Sequence, residues 1–196
     1  MKKIMIAVII LLLTVVLIVK VQQNNKTNTS ISQISQDKKE VLQLKTKTVF
    51  INGSQHVGNT VRMGNELLEN VPHDQLNLID YKIGFLGQNL SDDEFSTFIE
   101  TIKQADTLVI GTPVYWHSMS ATLKNFIERS SELTRDNPLR GKKLYFFMQG
   151  ANPTEISKES TVYIIERFAN QLGLELRATA TDNTELEKMK TKLESE

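Results

Sequence analysis

Residues 48–60, TVFINGSQHVGNT, decide how this chain is read. Thr48–Asn52 is a short run of β-branched and aromatic residues that stops at Gly53, the signature of a buried strand. Residues 61–71 follow with Leu67, Leu68 and Val71 on one helical face. Between them lies Gly53-Ser54-Gln55-His56-Val57-Gly58-Asn59-Thr60, a loop feeding a helix N-terminus. Backbone N–H groups in such a loop, with the helix dipole behind them, attract anions. Ser54 and Thr60 add hydroxyl donors, and Asn59 is placed to brace the loop. The spacing is that of a P-loop, G-x4-G-x-[ST], with Asn59 where the lysine belongs. Without that lysine the loop favours one phosphate group over a triphosphate chain. The competing reading is a plain tight turn that uses Gly and Asn for backbone freedom.

Outward from this stretch the same unit recurs. Residues 76–81 alternate as a second strand. Ser91-Asp92-Asp93-Glu94 has the capping-box spacing, and Phe95, Phe98, Ile99 and Ile102 behind it make a helical stripe. Residues 107–111 read as a third strand. Met119, Leu123, Phe126 and Ile127 form the next stripe, with Lys124, Glu128 and Arg129 on a solvated or dimer-facing surface. Residues 143–148, KLYFFM, are nearly all apolar, as in a central strand covered on both faces. Ile164, Ile165, Phe168, Ala169 and Leu172 form a stripe closed by Gly173 as a C-cap. Leu174, Leu176, Ala178 and Ala180 alternate as an edge strand. Thr184 and Glu187 suggest a second capping box, ahead of Leu186, Met189 and Leu193. Five β–α units in residues 46–196 predict an α/β fold: a five-stranded parallel sheet, order 2-1-3-4-5, with helices on both faces. That order opens a ligand crevice at the C-terminal ends of strands 1 and 3.

Two more loops converge there. The loop after strand 3, Gly111-Thr112-Pro113-Val114-Tyr115-Trp116-His117-Ser118, holds the only Trp of the chain beside a Tyr. Such aromatics either wall a flat ring system or anchor the loop on its own domain. The loop after strand 4, Gln149-Gly150-Ala151-Asn152-Pro153-Thr154, is small and polar and lets a backbone approach a ligand closely.

The chain has 196 residues, 40% hydrophobic and 23% charged, with no cysteine. That composition is ordinary for a folded domain. The missing cysteines exclude a disulfide scaffold, a thiolate-bound zinc or iron–sulfur cluster and a catalytic thiol, and no metal ligand set is assigned. Net charge is zero, but residues 1–45 carry +5 and residues 46–196 carry −5. An acidic globular part argues against nucleic acid as a partner. Residues 4–19 carry no charge and only Thr14 as a polar interruption, flanked by Lys2, Lys3 and Lys20. As a helix the run is about 24 Å long, close to a ~30 Å hydrocarbon core. Residues 1–21 are therefore expected to be a single-pass transmembrane anchor; a secretory signal peptide and a buried core helix are the alternatives. The flanking lysines lean only weakly toward the N-terminus in the cytoplasm. Residues 22–45, rich in Gln, Asn, Ser, Thr and Lys, read as a polar linker.

INGSQHVGNT followed by IGTPVYWHSMSATLKNFIER resembles the flavodoxin-like NADPH-dependent FMN reductase and NAD(P)H:quinone reductase superfamily, across residues 46–196. The resemblance implies FMN as cofactor. It puts the phosphate at Ser54, Gly58, Asn59 and Thr60, the isoalloxazine against Pro113, Val114, Tyr115 and Trp116, and Gly150 and Ala151 on the other side. The chain departs from the family pattern in having Gln55-His56 where Pro-Arg is frequent and His117 where Gly is common. The implied activity is hydride transfer from NAD(P)H to a quinone, flavin or similar small acceptor, with Tyr115 and His117 as the candidate proton donors. The family analogy adds a homodimer. A membrane-tethered electron carrier and a non-catalytic flavodoxin-like module are the other readings. A serine hydrolase built on Ser54 and His56 is disfavoured, because no G-x-S-x-G elbow is present.

Overall fold

A computed structural model describes residues 40–196. The expected anchor at 1–21, and the linker at 22–45 up to residue 39, lie outside the described residues. Among the described residues no helix is long and apolar enough to cross a membrane.

The elements are β1 (Thr48–Asn52), α1 (Asn59–Leu67), β2 (Asp74–Asn77), α2 (Phe95–Ile102), β3 (Thr107–Tyr115), β4 (Ser118–Met119), α3 (Ala121–Arg129), β5 (Lys143–Gln149), α4 (Glu155–Leu172), β6 (Glu175–Ala180) and α5 (Asn183–Glu194). The sheet order is β2-β1-β3-β5-β6, all parallel, with the two-residue β4 pairing antiparallel to the end of β3. This is the expected order, with β4 added.

The period of two along each strand sorts the core into two layers. Val49, Ile51, Leu108, Ile110, Leu144, Phe146 and Met148 face α2, α3 and α4, packing on Phe98, Ile102, Phe126, Ile165 and Phe168. Phe50, Val109, Tyr145 and Phe147 face the other way, onto Leu67 of α1 and Met189 and Leu193 of α5. β5 contributes to both layers and is buried throughout its interior, as its apolar run predicts. α1 packs so closely that a Cβ on Gly64 would lie 2.4 Å from the Phe50 ring. Gly173 ends α4 at φ 60°, ψ 33°, the left-handed C-cap read from sequence.

Four expectations are corrected. The second strand is Asp74–Asn77, because residues 78–80 tighten into a 3-10 turn instead of continuing extended. The third strand does not stop at Gly111 but runs to Tyr115, where β4 folds back on it. The Ser91–Glu94 capping box does not form. Asp93 takes the Phe95 N–H through Oδ1 at 2.9 Å, and Glu94 accepts the Lys82 N–H instead. At α5 the cap is Asp182, which accepts from Glu185 N–H at 2.8 Å, while the Glu185 carboxylate accepts the Thr181 N–H at 2.7 Å. The pattern sits two residues ahead of Thr184 and Glu187.

The surface expected around Arg129 is also revised. Lys124 and Glu128 do pair in solvent, but Arg129 is buried. It holds Asp93, Glu132 and the Gly84 carbonyl, with its guanidinium 4.6 Å from the Phe95 ring centre.

Candidate functional site

The winding direction switches between β1 and β3, and the Gly53 N–H donates to the Gly111 carbonyl across that gap at 2.8 Å. Ser120 fastens the same point. Its hydroxyl donates to the Gly53 carbonyl, its N–H donates to Thr112 Oγ1, and its oxygen caps α3 by accepting from Leu123 N–H. The serine of the S-x-x-L-K-N-F-I-E-R stretch is therefore a clasp between two crevice loops and a helix.

α1 begins at the crevice without a cap. α3, α4 and α5 are capped by the side chains of Ser120, Thr154 and Asp182, whereas Gly58 offers α1 none, and no acidic residue stands in its first turn. The N–H groups of a first turn have no intrahelical partner. Together with the dipole they attract negative charge. Thr60, buried at the start of α1, accepts from Gln149 Nε2 at 3.1 Å, and its hydroxyl proton has no acceptor among the described residues. A Cβ on Gly58 would meet no protein atom within 4 Å, so the chain's own packing does not demand a glycine there.

Nine of the predicted residues are brought together. Ser54, Gly58, Asn59, Thr60, Pro113, Val114, Tyr115, Gly150 and Ala151 line one open cavity of about 370 Å³. His56 and Gln149, not assigned to the site from sequence, line it too. Trp116 and His117 do not. They line a neighbouring cavity of about 270 Å³ that shares Val114, Gly150 and Ala151 with the first. Gly150 is where the two loops touch, since a Cβ on it would lie 3.0 Å from Val114 Cβ.

Two assigned roles change. The Ser54 hydroxyl does not stand free for a ligand: it is buried, 2.6 Å from the His56 carbonyl and 2.8 Å from Asn52 Oδ1. The brace of the loop is Asn52, not Asn59, which is exposed at the head of α1. Nothing in the local pattern marked Asn52, because its second partner, Asn77, lies on another strand.

The aromatic loop is a two-residue hairpin. Tyr115 pairs with Ser118, leaving Trp116 at φ 48° and His117 at φ 62°. Two positive φ values suit the twist of a tight hairpin, but bulky side chains rarely adopt them. Trp116 is 97% exposed and Tyr115 41%. The indole is thus no anchor for its own domain, which disposes of one of the two readings of this loop.

A doubly wound α/β sheet with an uncapped helix N-terminus at its switch point, flanked by an aromatic hairpin and a small polar loop, defines the flavodoxin-like class. The chain belongs to the NADPH-dependent FMN reductase family, which matches residues 46–161. Among curated relatives it is similar to YwqN of Bacillus subtilis, named as a candidate NAD(P)H-dependent FMN-containing oxidoreductase, at 29% identity over 92 residues, 43% of this chain and 51% of that protein. It is also similar to an iron–sulfur flavoprotein of Archaeoglobus fulgidus, at 31% identity over 97 residues, 43% of this chain and 48% of that one. The chain spans about half the length of these curated relatives. In fold it resembles the flavodoxin, WrbA-like protein from Agrobacterium tumefaciens, with a TM-score of 0.56 at 21% identity over 77% of this chain and 94% of that one.

Proposed function

We propose that this chain is an FMN-dependent NAD(P)H oxidoreductase that passes two electrons to a quinone, flavin or similar small acceptor. The observation that carries the proposal is the uncapped α1 N-terminus opening into the same cavity as Tyr115 and Gly150.

The residues fit FMN. A monophosphate suits the first-turn N–H groups of α1 and the Thr60 hydroxyl, and Asn59 stands where a longer phosphate chain would want the P-loop lysine. Pro113, Val114 and Tyr115 on one side and Gly150 and Ala151 on the other bound the space for a flat ring, with Trp116 at its mouth. When bound, FMN supplies the hydride chemistry between NAD(P)H and the acceptor. The protein's part is placement. Backbone N–H groups of the hairpin and of the 149–154 loop are fixed dipoles for charge that develops beside them. Tyr115 and His117, both exposed at the mouth, are positioned to hold or move a proton toward the acceptor.

The apolar stretch 4–19 supports a further proposal, that the domain is tethered to a membrane surface through a polar linker; a homodimer remains the family's analogy.

The test is the visible spectrum of residues 40–196 mixed with FMN, before and after anaerobic NADPH. Retained flavin bands that bleach on NADPH support the reductase. Bound flavin that stays oxidised points to the tethered carrier, and absence of retained flavin overturns the proposal.

A further inference from the structure

Side chains at the crevice ends of β1 and β2 form a hydrogen-bonded chain with a fixed direction. Asp80 is exposed and its carboxylate can only accept. It therefore draws the amide nitrogen of Asn77, and Asn77 Nδ2 donates to Asp80 Oδ2 at 2.8 Å. That leaves Asn77 Oδ1 facing the sheet, where it accepts from Gln75 Nε2 at 2.9 Å and from Asn52 Nδ2 at 3.1 Å. Asn52 must then turn its own oxygen the other way. Asn52 Oδ1 accepts from the Ser54 N–H at 3.0 Å, with the Ser54 hydroxyl at 2.8 Å. Ser54 in turn reaches the His56 carbonyl, two residues before Gly58. Reversing any one amide would set donor against donor or oxygen against oxygen at the next link, so the orientation propagates from a surface carboxylate into the loop. Asn52 is 1% exposed, and both ends of its amide are used.

We infer that Asn52 is a positioning residue for the anion-accepting loop, oriented through Asn77 by Asp80, and that it sets how tightly the α1 N-terminus takes a phosphate group. The inference rests on the reading of that loop as the FMN phosphate site, but the loop's response to free phosphate tests it separately. Removing Asn52 leaves the Ser54 N–H without its acceptor and the Ser54 hydroxyl with the His56 carbonyl alone, which loosens the 53–58 path into α1, whereas the aromatic hairpin keeps its own pairing of residues 114–115 with 118–119. The device thus acts on the phosphate and not on the ring.

The experiment compares wild type, Asn52→Ala and Asp80→Ala for FMN and riboflavin affinity by flavin fluorescence. In parallel it follows the amide NMR shifts of Gly58, Asn59 and Thr60 on titration with inorganic phosphate. Losing one buried hydrogen-bond partner predicts FMN binding about tenfold weaker in Asn52→Ala. Losing only the orienting carboxylate predicts about threefold weaker binding in Asp80→Ala. Riboflavin affinity stays at the wild-type value in both, and the phosphate-induced amide shifts shrink in the same order. FMN and riboflavin weakening together, amide shifts unchanged in Asn52→Ala, or wild-type amides that ignore phosphate would each overturn the inference. Should Asn52→Ala fail to fold, Asp80→Ala decides by the same criteria. If wild type binds no FMN yet its amides respond to phosphate, the cofactor reading fails while the positioning role is decided by the variants' phosphate titrations.

Discussion

The guanidinium of Arg129 meets the carboxylate of Asp93 at 2.7 Å, tying the last turn of α3 to the segment that leads into α2. The Arg129 side chain is 9% exposed and that of Asp93 17%, so neither charge is well hydrated. Arg129 also donates to the Gly84 carbonyl at 3.0 Å and to Glu132. Asp93 accepts the N–H groups of Gly84 and Phe95. One ion pair thus organises both ends of the 84–95 segment. Arg129→Ala leaves a largely buried carboxylate unpaired and is expected to cost roughly 3 kcal/mol. A lysine cannot reproduce the fork to two carboxylates, and Arg129→Lys should recover less than half of that loss. Urea unfolding of the three proteins measures both.

The same pair gives the fold an acid limit. Burial pushes Asp93 up, but the hydrogen bonds from Arg129, Phe95 and Gly84 outweigh it and hold the carboxyl below its ordinary 3.8. Asp74 behaves alike: burial opposes, and Thr46 and the Lys45 N–H prevail. A carboxyl with a depressed folded pKa contributes its full stability above the unfolded value and loses it as pH falls through the folded one. Stability should be flat above about pH 5 and fall below about pH 4. In Arg129→Ala the fall is shallower, because the main partner of Asp93 is gone. Thermal melts across pH 2.5–7, a range spanning those values, test this.

Trp116 makes contact with almost nothing in its own domain. Trp116→Ala should change stability by no more than about 0.5 kcal/mol, as for ordinary surface sites. Its effect should fall on ligands at the mouth of the crevice. Since this is the chain's single tryptophan, its emission is expected to be that of a water-exposed indole and to be quenched when FMN is added. An unquenched indole in an FMN-loaded protein would contradict its place beside the ring.

His117 pays for its position in backbone strain. At φ 62°, glycine is at ease and histidine is not. His117→Gly is therefore expected to raise stability by about 0.5–1 kcal/mol. If the imidazole holds a proton for the acceptor, the same change lowers kcat and alters its pH profile. Chemical denaturation and steady-state kinetics on one sample separate the two effects.

Gly64→Ala inverts the usual rule. In most helix interiors alanine stabilises relative to glycine by about 1 kcal/mol. Here the added methyl would lie 2.4 Å from the Phe50 ring, which is fully buried and has no room to yield. We expect a loss of about 1–3 kcal/mol, the range for overpacking. Because α1 must lift off the sheet, FMN affinity should fall as well.

How much of this could be read from the chain depended on where the partners lie. The strands at 48–52 and 143–148 were legible because a continuous apolar run needs no distant partner to be recognised, and the second of them runs one residue further, to Gln149. The stripes through Phe98, Phe126 and Phe168 were legible for the same reason. The Ser91–Glu94 spacing misleads because its partners are distant: Glu94 accepts the Lys82 N–H, and Asp93, held by Arg129, takes the Phe95 N–H. The end of β3 was missed because the hairpin turns on Trp116-His117, which carries none of the Asn-Gly chemistry that announces such a turn. At the site, the three loops and nine of their lining residues were legible. The role of Asn52 was not, since it is set by Asn77 at the end of the neighbouring strand and by Asp80 in the turn that follows it.

The bare beginning of α1 has a consequence for how long the protein lasts. On the proposed reading, in which this helix end takes a phosphate group, the folded population depends on the supply of that anion by mass action. A ligand present at a hundred times its Kd adds about 2.7 kcal/mol to the folding equilibrium. Scarcity withdraws it, and unfolded chains are what proteases remove. A cell low in the ligand would then hold less of this protein without any change in its synthesis.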